Sequence, residues 1–135
     1  MIERKVYNKG QLIVTRLSGN VHGQEIFDHI FWLIDSHNIG EVMSDYDQVV
    51  YAEDIESITI DEDDVHRIMD VSAGLGQARG RFRTAIVGVD PYGIKLARLY
   101  KSLSKHAERE VELCDDLNSA FAWLGCDNPD PEKYR

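Results

Sequence analysis

The stretch Phe82 to Leu103 reads FRTAIVGVDPYGIKLARLYKSL and decides the fold class. A continuous apolar run passes through Asp90-Pro91 into a helical pattern. It is a buried strand whose carboxyl end opens a helix, and strands apolar on both sides belong to parallel sheets covered by helices. Asp90 is placed to cap that helix. Pro91 suits its first position, where a missing N–H costs nothing. Tyr92, Leu96, Leu99, Tyr100 and Leu103 form its apolar stripe.

Working outward, the same strand-then-helix unit recurs. Toward the N-terminus, Gln48 to Glu53 (QVVYAE) is a strand, Asp54 to Ile60 reads as a loop, and Asp61 caps a helix with Glu62, Asp63 and Asp64 in its first turn. Val65, Ile68, Met69, Ser72 and Gly76 share one face of that helix. Further back, Lys5 to Asn8 and Gln11 to Leu17 flank Asn8-Lys9-Gly10 as a β-hairpin. Gly19 to Gly23 read as a turn. A helix follows from about Gln24 to His37, with Ile26, Phe27, Ile30, Phe31, Leu33 and Ile34 on a broad apolar face, ended by Asn38 and Gly40. Toward the C-terminus, Glu110 to Cys114 is a last strand. Asp115 or Asp116 caps a final helix with Leu117, Ala120, Phe121 and Leu124 inward. The order is ββαβαβαβα, an α/β fold with one antiparallel edge.

The chain has 135 residues, 43% of them hydrophobic and 29% charged, which suits one domain with one core. The expected division is a single domain over 1–126 and a short polar tail over 127–135 (DNPDPEKYR), frayed by its two prolines. A net charge of −9 argues against general nucleic-acid binding. No apolar run approaches the roughly 20 residues that span a bilayer. Charge at the start, MIERKVYNKG, breaks the apolar segment a signal peptide needs, so a cytoplasmic location is expected. Cys114 and Cys126 lack CxxC spacing and read as packing residues.

Three stretches stand out together: the hairpin ending in Leu17-Ser18-Gly19, the junction Ala85-Ile86-Val87-Gly88-Val89-Asp90 with Tyr92-Gly93, and Glu112-Leu113-Cys114-Asp115-Asp116 with Ala120-Phe121-Ala122-Trp123-Leu124. In this order they resemble the STAS-type domains, named for sulfate transporters and anti-sigma-factor antagonists, and within them small SpoIIAA-like bacterial proteins related to Sec14-like lipid-binding domains. The resemblance implies a SpoIIAA-like ββαβαβαβα domain with a mixed, mostly parallel sheet flanked by helices. It also implies a non-catalytic regulatory or protein-interaction module. Signalling members carry an Asp-Ser-Ser-Gly-like turn after the central strand, with a serine that a partner kinase phosphorylates. Here the corresponding stretch, Asp54-Ile55-Glu56-Ser57-Ile58-Thr59-Ile60-Asp61, has no Ser-Gly pair, and its carboxylates would repel a phosphate.

Three function classes remain. In the first, a protein partner or a second copy binds around Trp32 or at Asp54, Ser57 and Thr59. Trp32 lies about half a turn from the apolar face, among Asp28, His29, Asp35 and Ser36, where a partner or a covering loop would account for it. In the second, a small apolar or anionic ligand, or a lipid, binds near Tyr92, Gly93, Leu96 and Tyr100, outside the carboxyl ends of the strands. In the third, Ser57 or Thr59 is a phosphoacceptor. Lys95, Arg98, Lys101, Ser102 and Lys105 gather opposite an apolar stripe, as a solvated face or as a surface for acidic groups. His66, with Glu62 and Asp70 one turn away on either side, makes no ligand set from more than one element. No catalytic constellation, metal site or cofactor motif is recognisable.

Overall fold

The computed structural model describes residues 1–68, 70, 82–88, 94, 97–98, 101 and 109–135. Five strands form one sheet in the order β1-β2-β3-β4-β5: β1 (Ile2–Tyr7), β2 (Leu12–His22), β3 (Asp47–Thr59), β4 (Phe82–Val87) and β5 (Arg109–Cys114). The β1–β2 pair is antiparallel and every other neighbour is parallel. Helix α1 spans Gly23–Asn38, and α2 covers residues 62–68. Positions 94, 97, 98 and 101 are helical and belong to α3, and α4 spans Leu117–Leu124. The α/β class and the mixed, mostly parallel sheet are as expected.

Period-two alternation sends successive side chains to opposite faces. Leu12, Val14, Val49, Tyr51, Ala85, Val87 and Cys114 meet Ala120, Phe121 and Leu124 of α4 on one face. On the other face Ile13 packs with Leu33 of α1, and Phe27 and Ile30 of α1 meet Ile68 of α2. Asp116 caps α4, its carboxylate accepting the Ser119 N–H at 2.7 Å. At the start of α2, Asp61 accepts the Asp64 N–H at 2.8 Å, while Asp64 accepts that of Asp61 at 3.2 Å. Val65 and Ile68 are buried as expected; Met69, Ser72 and Gly76 lie outside the described residues.

The hairpin turn is a short 3-10 segment, Asn8–Gly10, with Asn8, Lys9 and Gly10 all at positive φ. Gly10 sits at φ +90°, where a Cβ would fall 2.5 Å from the carbonyl oxygen of Glu41. Its own carbonyl accepts the N–H of Met43, tying the turn to the loop after α1. Gly10→Ala is expected to cost about 1–3 kcal/mol, measured by urea unfolding, because both the conformation and the space are wrong for a side chain.

Four expectations are corrected. Residues 54–59 are not a loop, and 19–22 are not a turn: β2 and β3 continue as a parallel pair through Gly19↔Ile55, Asn20↔Ser57, Val21↔Ile58 and His22↔Thr59. The pairing shifts register around Gly19, with Gly19 and Asp54 both at positive φ, so the alternation that marks a strand breaks at that point. The tail is not frayed at Tyr134, which is 2% exposed and belongs to the α4-side core. Finally, α1 is rotated from the expected phase. Phe31 is 50% exposed, while His29 and Ser36 are buried. The sheet face beneath α1 carries the buried polar residues Thr15 and Gln48, and it accepts a histidine rather than a phenylalanine.

Candidate functional site

Two parts of the molecule carry the residues singled out in the sequence. The first is the far end of β2 and β3. β4 pairs with β3 only from Asp47 to Tyr51, so beyond that point β3 runs on beside β2 as a two-stranded ribbon. Val21, Ile60 and Val65, with Leu17, Ile26, Ile55 and Ile58 around them, anchor the ribbon to the starts of α1 and α2. Gly23 passes so close to Asp64 that a Cβ there would lie 2.9 Å from Oδ2. Asp54, Ser57 and Thr59 are all exposed on this ribbon. The Ser57 hydroxyl donates to Asn20 Oδ1 at 2.6 Å, linking the two strands through side chains. At the ribbon's base the Arg16 guanidinium lies 3.7 Å from Glu3, 3.5 Å from Glu53 and 3.5 Å from Asp54.

The second part surrounds Trp32. Its indole is half-buried, with the Arg4 guanidinium 4.7 Å over the ring and the His29 imidazole stacked at 6.0 Å and 11°. The His29 ring nitrogen Nε2 is 2.7 Å from Gln48 Oε1, which also accepts the Thr15 hydroxyl at 3.0 Å. With Oε1 an acceptor, Nε2 carries the hydrogen and Nδ1 is left as a buried acceptor without a partner. Burial pushes the His29 pKa down to about 4, helped by the charge on Arg4 and opposed by the Gln48 hydrogen bond. Trp32 is thus a partly covered lid on a polar cluster. It belongs to a different group from the ribbon, packing beside Ile13, Leu33, Val42 and Tyr46. Sequence reasoning missed Arg4, His29 and Gln48. An alternating β1 with an inward Arg opposite Thr15 was the available signal.

The remaining expectations fall as follows. Tyr92, Gly93, Leu96 and Tyr100 lie outside the described residues, as do Lys95, Ser102 and Lys105. Arg98 is exposed, and the Lys101 ammonium donates to Glu112 at 2.6 Å. At the sheet's lower end Arg83 binds Asp47 through two hydrogen bonds of 2.9 and 2.8 Å and donates to the Leu124 carbonyl at 3.0 Å. Asp45, Asp47, Arg83 and Glu110 line a cavity of about 370 Å³ there. The Asp47 hydrogen bonds raise the Arg83 pKa, so this is a fixed ion pair. Cys114 and Cys126 are free thiols, raised in pKa by burial. Among the described residues no group of three or more His, Cys, Asp or Glu is placed to hold a metal ion, and no helix is long and apolar enough to cross a membrane.

Neither a protein-family model nor a curated protein sequence matches the chain. Solved structures do. An uncharacterized protein of the DUF3478 family with a SpoIIAA-like fold, from Shewanella loihica PV-4, superposes with a TM-score of 0.58 over 91% of this chain and 93% of that one, at 13% identity. The anti-sigma factor antagonist SpoIIAA in its unphosphorylated form gives 0.58 over 93% and 97%, also at 13% identity. The fold is SpoIIAA-like. Coverage of both chains is nearly complete, so the SpoIIAA-like fold accounts for the hairpin edge, the parallel strands and the helices together. At this identity the likeness is one of architecture, and function rests on the sites.

Proposed function

We propose that this SpoIIAA-like chain is a non-catalytic STAS-like regulatory module that binds a protein partner through the projecting β2–β3 ribbon. The observation that carries this reading is the ribbon itself. Beyond Tyr51 the described part of β3 is paired on one side only, and Asp54, Ser57 and Thr59 stand exposed on it. A strand edge of this kind is a template for another chain. The apolar anchor beneath it holds its shape without a partner, so little ordering entropy opposes docking. One structural neighbour is an anti-sigma factor antagonist in its unphosphorylated form. On this ribbon the Ser57 hydroxyl donates to Asn20 and stands among carboxylates that would repel a phosphate, so the reading does not require phosphorylation.

The test is a photo-crosslinking amino acid placed at position 57 in the source cell, with position 132 as a control. The expected result is one saturable adduct at 57 that Thr59→Arg abolishes and that position 132 does not give. Equal, diffuse labelling at both positions would remove the ribbon as the interface.

A further inference from the structure

On the sheet face opposite α1, a cavity of about 140 Å³ is lined by Glu3, Arg4, Lys5, Val14, Arg16, Tyr51, Lys133 and Tyr134. No helix described above covers this part of β1 and β2. Its outer wall is the segment holding Lys133 and Tyr134, fastened by the Tyr7–Tyr134 hydroxyl pair at 2.8 Å. Tyr51 forms part of the floor. It is 6% exposed, yet among the described residues its hydroxyl has no hydrogen-bond partner. The hydroxyl is not one of the buried unpaired atoms, so it opens onto the cavity. Burial raises its pKa, so the hydroxyl keeps its hydrogen and is available to donate.

Two ammonium groups reach the cavity from opposite sides, Lys5 on β1 and Lys133 on the outer segment. Their contacts among the described residues are with aromatic faces, Tyr7 at 5.5 Å and Tyr134 at 5.6 Å, and not with carboxylates. Arg16 is different: its charge is already met by Glu3, Glu53 and Asp54, which also engages the one carboxylate in the lining. Arg4 turns its guanidinium to Trp32 on the other face. What remains is two unmatched positive charges and one neutral donor around a space large enough for a small oxyanion.

We propose that this cavity binds a phosphate group, free or as a monoester, between Lys5, Lys133 and the Tyr51 hydroxyl. A phosphomonoester carries close to two negative charges at neutral pH and offers three strong acceptor oxygens. Two ammonium groups and one phenol match that charge and that count; a carboxylate would leave one cation unmatched. Bound there, the phosphate bridges β1 to the outer segment and tightens the closure that Tyr134 makes. The site is separate from the ribbon reading and stands or falls without it.

The experiment uses the full chain with inorganic phosphate, followed by calorimetric titration and by thermal unfolding against sodium chloride at matched ionic strength. Phosphate is expected to bind and to raise the unfolding temperature. Lys5→Met and Lys133→Met, both at exposed positions, should each weaken binding by about tenfold or more. Lys133→Arg should retain it, and Tyr51→Phe should weaken it several-fold without losing the fold. Vesicles of phosphatidylcholine with and without phosphatidic acid separate the sources. Binding only to the acidic vesicles, competed by free phosphate, assigns a lipid headgroup; binding of phosphate without vesicle binding assigns a soluble ligand. No response beyond that of sodium chloride, or the same response in wild type and both methionine variants, overturns the site.

Discussion

Acidification is expected to cost the fold about 3.5 kcal/mol through His29 alone. The imidazole is buried and neutral, with its pKa lowered from 6.5 to about 4 by removal from water. A histidine with a depressed folded pKa leaves the unfolded chain binding more protons in the window between the two values. Its contribution is therefore complete above about pH 6.5 and drains away as the pH falls toward about 4. At ~1.4 kcal/mol per pKa unit, that gap gives the quoted figure. The protonated ring would face the Arg4 guanidinium and find only the Gln48 oxygen as an acceptor. Urea unfolding across this pH range should show wild type losing stability faster than His29→Gln, which cannot titrate. If the two profiles run parallel, His29 does not carry the effect.

Removing the Tyr134 ring should be as damaging. The side chain is fully enclosed, packed at centroid distances of 6.1 Å from Tyr7, 6.0 Å from Tyr51 and 6.3 Å from Phe121. Tyr134→Ala is expected to destabilise by about 3–5 kcal/mol, the range for deleting a buried aromatic ring. Tyr134→Phe keeps the packing but leaves the Tyr7 hydroxyl unpartnered, for a loss of about 1 kcal/mol. Denaturant unfolding of both variants checks the ratio. An alanine variant within ~0.5 kcal/mol of wild type would mean that the segment merely rests on the surface.

The parts of the fold legible in the sequence were those where one physical signal acted alone. Ala85 to Val87 are continuously apolar, with Ala85 and Val87 buried in the α4-side core, and that run marks the strand. The caps at Asp61 and Asp116 were visible because an N-cap is a local requirement. The ribbon was not. Its strands carry Glu53, Asp54 and Glu56, and the positive φ at Asp54 shifts the side-chain phase midway, so the second half looks polar and aperiodic. In sequence His29 reads as part of a polar face, since only the surface opposite it, with Thr15 and Gln48, makes a buried histidine acceptable. The tail's composition points to fraying, because its one aromatic residue stands among charges and prolines. The three tyrosines that meet there come from positions 7, 51 and 134, which no local pattern connects.

The hydroxyl contact between Tyr7 and Tyr134 joins residues 127 positions apart in the chain. During synthesis at about 5–20 residues per second, β1 therefore waits roughly 6–25 s for its last neighbour to be made. Through that interval the hairpin can form, but one side of it stays wet and its aromatic ring uncovered. A nascent chain halted short of position 134 would leave the Tyr7 ring without this neighbour.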